Sequence, residues 1–142
     1  MTRAAKALAL DYGSARTGVA VSDPSGTLAR PLCVVENVGS VGGLAELCAI
    51  IEREGPGVVV VGLPLTLRSE RGAQAAETEA FIARLRSRCR NPIITEDERL
   101  TTSIARRQMP TSSRRRSSTP RSDDAQAAAV LLQTYLDRRE AE

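Results

Sequence analysis

Three acidic positions, far apart along the chain, are the residues best suited to chemistry. They are Asp11 in A-L-A-L-D-Y-G-S, the triplet Glu96-Asp97-Glu98 with Arg99 behind it, and the pair Asp123-Asp124. Carboxylate oxygens are hard ligands. Several of them converging on Mg2+ or Mn2+ make a site that clamps both the attacking and the leaving oxygen of a phosphodiester. The 142 residues include no histidine, which excludes Ser-His-Asp and Cys-His catalysis and histidine-ligated zinc. A carboxylate-and-cation site needs none. Each acid also suits a structural role: Asp11, two residues before Gly13, can close an Asx turn, and acids at a helix start are favoured by the macrodipole.

Spacing separates some of these acids. Strand alternation puts Asp11 on one face with Ala7 and Ala9, small residues that leave room beside it. Asp124 precedes Ala127, Ala128 and Leu131 by three, four and seven residues, so it shares their inward stripe. Asp123 is rotated by about 100° and fits a capping role. In the triplet, three adjacent carboxylates repel one another unless Arg99 or a metal offsets them, and spacing leaves open which of Glu96, Asp97 and Glu98 points inward.

The elements that must position these acids follow from apolar patterning. Residues 6–11 read as a buried strand, 17–22 as a second strand in a hairpin with it, and 27–35 as a third, edge or bulged strand because of Pro31. The period then becomes helical through Leu44, Leu47, Cys48 and Ile51, with Ser40 as N-cap and Gly55 as stop. Val58 to Val61 is a strand buried on both faces, 73–88 a helix, 92–96 a fifth strand and 101–109 a short helix. A last helix spans 123–139. The order βββαβαβα makes an α/β fold: a mixed five-stranded sheet with helices on both faces, in one domain over 1–142.

The basic residues point to a phosphate-rich partner. Net charge is +3, and Lys6 is the one lysine among 20 basic residues. The rest are arginines, whose planar fork grips phosphate through paired hydrogen bonds. Arg106, Arg107, Arg114, Arg115, Arg116 and Arg121 fall in a stretch without an acid, and 110–122 has no aliphatic residue. That segment reads as a flexible basic loop, either a solubilising one or an arm that grips nucleic acid beside Asp124. Arg16 and Arg99 stand next to the acids, to neutralise a scissile phosphate or to balance the carboxylates. Three aromatics are too few to stack successive bases, so binding should run through backbone phosphates. Cys33, Cys48 and Cys89 form no CxxC pair and read as buried thiols of a reducing compartment. No apolar run nears the ~20 residues of a membrane span, so a cytoplasmic protein without a membrane partner is expected.

At these residues the chain resembles the YqgF/RuvX family of Holliday junction resolvases, also described as pre-16S rRNA nucleases. Four blocks carry the resemblance: L-A-L-D-Y-G-S-A-R-T-G-V-A-V-S-D (8–23), V-V-V-G-L-P-L (59–65), D-E-R-L-T-T (97–102) and D-A-Q-A-A-A-V-L-L-Q-T-Y-L (124–136). It implies a ribonuclease-H-like fold and an acidic Mg2+ or Mn2+ site carried by Asp11, Asp97, Glu98 and Asp124, with Asp11, Glu98 and Asp124 catalytic. The expected function is metal-dependent hydrolysis of structured nucleic acid, foremost at the 5′ end of pre-16S rRNA in ribosome biogenesis. Branched DNA cleaved by a junction resolvase is the alternative substrate, and a non-catalytic RNA-binding assembly factor the alternative role. The protein would act as a monomer or homodimer. D-Y-G-S also resembles the phosphate turn of the actin and sugar-kinase superfamily, but those proteins close two such domains around ATP and this chain has room for one.

Overall fold

The structure, a computed structural model, describes residues 6–63, 72–97 and 120–141. Its elements run β1 (Ala7–Asp11), β2 (Arg16–Ser22), β3 (Ala29–Glu36), α1 (Val41–Glu54), β4 (Val58–Leu63), α2 (Ala73–Arg86), β5 (Ile93–Asp97) and α3 (Pro120–Ala141). Among the described residues this is the expected βββαβαβα order. The expected short helix at 101–109 lies outside them, as does the basic loop up to residue 119.

The five strands form one sheet in the order β3-β2-β1-β4-β5. β1 pairs antiparallel with β2 and parallel with β4, and β4 pairs parallel with β5. The carboxyl ends of β1, β4 and β5 therefore lie along one edge of the sheet. Pro31 has both properties expected of it. β3 is an edge strand, and its register slips where Val19 faces Cys33 but Ala20 faces Pro31, so Leu32 bulges out. A residue without an N–H costs least at such a place.

The two faces of the sheet differ in side-chain size, and that difference sets the layers. Leu8, Leu10, Val19, Val59 and Val61 pack against Leu47 and Ile51 of α1 and Phe81 and Leu85 of α2. The opposite face offers Ala7, Ala9, Ala20 and Val60 to Ala128, Leu131, Leu132 and Leu136 of α3. Short side chains let α3 lie close to the strands. α1 is bounded as its sequence requires: Ser40 Oγ accepts from Gly43 N–H at 3.0 Å, and Gly55, with φ 60°, donates to the Ile51 carbonyl at 2.9 Å.

α3 begins earlier than the expected residue 123. Pro120 to Ser122 form its first turn, since proline's missing N–H costs nothing at a helix start and its fixed φ suits one. Asp123 is thus an exposed acid within that turn, where the dipole favours it, and not a cap. None of the described helices is long and apolar enough to cross a membrane.

Candidate active site

Asp11 ends β1 on the α3 side, by alternation with Ala7 and Ala9. Directly opposite it in the ladder is Gly18 of β2, whose neighbour on the same face, Ala20, packs under α3. A Cβ at Gly18 would stand 1.9 Å from the Asp124 carbonyl oxygen. The α3 backbone at Asp124 is therefore seated on the glycine paired with Asp11. Asp11 and the Asp124 backbone, 113 positions apart in the sequence, thus both adjoin Gly18, which has no side chain to keep the helix off the strand.

Arg16, two residues before Gly18 and so on the same face, completes the arrangement. Its Nε donates to Asp124 Oδ2 at 2.9 Å, and both side chains keep partial exposure, 39% and 30%. In this state Arg16 balances a carboxylate, one of the two roles open to it. The strand end is held from the other side by Tyr12. Its ring stacks on Phe81 with centroids 4.7 Å apart, and its hydroxyl donates to Glu77 Oε2 at 2.8 Å. Burial and the adjacent Glu77 carboxylate push the Tyr12 hydroxyl up to about 12.

The acids of β5 separate by alternation. Glu96 is on the α3 side with Ile94; it is buried and forms an ion pair with Arg138 of α3. Its carboxylate is thus engaged by Arg138 from α3. Asp97, the last residue of β5, alternates to the side of Ile93, in register with Leu63 of β4. It lies at the same sheet edge as Asp11, two strands and roughly 10 Å away. Glu98 and Arg99 lie outside the described residues, as do Arg106, Arg107, Arg114, Arg115 and Arg116. Arg121 falls in the first turn of α3.

Asp11 and Asp124 offer oxygen donors alone, the donor class that Mg2+ and Mn2+ take. Among the described residues no group of three or more His, Cys, Asp or Glu side chains could hold a metal ion. The two acids thus fit such an ion in chemistry, and a fuller ligand set has to draw on residues beyond the described ones. Gly18 itself was missed in the sequence. Its signal is a glycine inside an otherwise β-branched and alanine-rich strand, which marks a close backbone approach. Glu96–Arg138 and Tyr12–Glu77 had no comparable signal, because each joins residues more than 40 positions apart.

Comparison with known proteins agrees with this architecture. A family model described as "RuvX: Holliday junction resolvase" matches residues 5–138. A protein of Chloroflexus aurantiacus named "Putative pre-16S rRNA nuclease" is 37% identical over 132 residues, covering 93% of this chain and 86% of its own. One of the same name from Geobacillus kaustophilus is 37% identical over 136 residues, covering 94% and 99%. Among solved structures, T. thermophilus RuvC in complex with a Holliday junction substrate superposes with a TM-score of 0.64 at 17% identity, covering 96% of both chains. The fowlpox virus resolvase bound to junction DNA does so at 0.56 and 10% identity, covering 94% of this chain and 98% of that one. The mixed sheet with helices on both faces is thus the ribonuclease-H-like fold of these resolvases, and the match along nearly the whole chain makes this protein a member of the RuvX Holliday junction resolvase family.

Proposed function

We propose that the protein is a divalent-metal-dependent nuclease that hydrolyses phosphodiesters in structured RNA, at the 5′ end of pre-16S rRNA. The observation that carries the reading is the seat of Asp124 on Gly18, across the ladder from Asp11. The shared name of the curated relatives supports the RNA substrate.

Asp11, Glu98 and Asp124 are the proposed catalytic acids, and Asp97 a further metal ligand. When bound, Mg2+ or Mn2+ would lower the pKa of an attacking water and offset charge on the leaving oxygen. Asp11 and Asp124 hold and orient their carboxylates from two rigid elements. Arg16 fixes the rotamer of Asp124 and has further N–H donors for a phosphate oxygen. Arg99, Arg106, Arg107, Arg114, Arg115, Arg116 and Arg121 are proposed contacts to substrate phosphates. Such a substrate assigns the protein to the cytoplasm.

Junction DNA is the second reading, favoured by the description of the family. It calls for two symmetric sites, hence a homodimer, so a stable monomer would count against it. The test uses the full chain with a model pre-16S transcript and a four-way DNA junction, in Mg2+, Mn2+ or EDTA. We expect RNA cleavage that EDTA abolishes, and a fall of at least ~100-fold in Asp11→Asn, Glu98→Gln and Asp124→Asn with substrate binding retained. Cleavage of the junction alone would overturn the RNA assignment. Binding without metal-dependent cleavage would make the protein a non-catalytic assembly factor.

A further inference from the structure

We propose that Cys48 and Cys89 are an oxidation site, at which hydrogen peroxide converts two thiols into an intramolecular disulfide that staples α1 to the turn after α2. The two sulfurs are 3.7 Å apart, and the Cys89 thiol donates to Cys48. Both cysteines are free, partly buried, and packed against the α1–α2 core. A disulfide needs the sulfurs about 1.7 Å closer. A cavity of about 370 Å³ is lined by Cys48 and Cys89, together with Glu52, Arg88, Arg90 and Asn91. It is roomy enough for a small peroxide.

The chemistry balances without another reagent. The thiolate of one cysteine attacks a peroxide oxygen, the O–O bond breaks, and a sulfenic acid and one water result. The second thiol attacks that sulfur, the S–O bond breaks, and a second water leaves. The sulfurs lose two electrons and the peroxide gains them. Burial pushes the Cys89 thiol up to about 11, so the reaction is slow at neutral pH and quickens in alkali. The pair lies on the α1–α2 side of the sheet, across from α3, so the proposal is independent of the nuclease reading.

The full chain is treated with hydrogen peroxide, alkylated, and analysed by intact mass and peptide mapping. We expect loss of two hydrogens, a peptide cross-link between Cys48 and Cys89, Cys33 as the one alkylated cysteine, and reversal by dithiothreitol. The cross-linked chain should melt on the order of 5–10 °C higher, because the bond closes a loop of roughly 40 residues. Cys48→Ser and Cys89→Ser should lose the link and the shift, while Cys33→Ser keeps both. A link through Cys33, a link between two chains, overoxidation without a link, or a cross-linked chain with unchanged melting would each overturn the proposal.

Discussion

Arg16 carries out two kinds of work with one guanidinium. An ion pair this exposed contributes about 0–1 kcal/mol to folding, so its larger effect is on the orientation of Asp124. Tyr12, next to Asp11, has the clearer consequence for stability. Its hydroxyl is held protonated by burial and by Glu77, with a folded value of about 12 against an ordinary 10.0. A raised folded value means that stabilisation is complete below pH 10 and fades between pH 10 and about 12. Thermal melts of the wild type should therefore fall through this window. Tyr12→Phe should melt lower at neutral pH, for want of the hydrogen bond to Glu77, and lose less on alkalinisation. Equal alkaline losses in both proteins would contradict this account.

Among the elements, α3 is positioned by what the sheet lacks. Ala7, Ala9 and Ala20 present little bulk, and Gly18 presents none, so the start of α3 rests directly on β2. A methyl at Gly18 would meet the Asp124 carbonyl carbon at 2.4 Å and the Ala125 nitrogen at 2.9 Å, all backbone, which cannot rotate aside. Gly18→Ala should cost about 1–3 kcal/mol by overpacking and lower the melting temperature by roughly 3–10 °C. It should also weaken Mn2+ binding measured by calorimetry more than Ala20→Gly does, because it moves Asp124 away from Asp11. Comparable metal affinity in the two variants would detach the helix seat from the site.

Over the whole molecule, the two layers divide the labour. The α1–α2 side is aliphatic and aromatic, closed by the caps of α1, and carries the thiol pair; the α3 side carries Asp11, Asp124 and Arg16. Lys6, the one lysine, is consumed by a 2.9 Å ion pair with Glu54 and holds that carboxyl below its usual range. Nucleic-acid affinity must then come from arginine. The logarithm of the binding constant should fall linearly with the logarithm of salt concentration. Replacing Arg114, Arg115 and Arg116 together by alanine should reduce that slope by about 2–3. A slope unchanged in filter binding or anisotropy titrations would remove this stretch from the interface.

Periodic features were legible in the residues alone. The five strands, the capped α1 and the parity of Asp11 each depend on neighbours within a few positions, whose geometry the backbone fixes locally. The Pro31 irregularity was readable for the same reason. The inward face of α3 is centred one residue on from the expected stripe, on Ala125, Ala128, Ala129, Leu132 and Leu136, with Ala127 only partly buried. The start of α3 was misjudged because Pro120 to Ser122 look like loop in composition yet suit a first turn. Long-range pairings were decided only when the chain closed on itself: Arg16 with Asp124, Glu96 with Arg138, Tyr12 with Glu77, Cys48 with Cys89. Local patterning says which side of an element faces inward. Which inward residues touch depends on strand order, register and the depth at which each helix seats, and these are properties of the packed molecule.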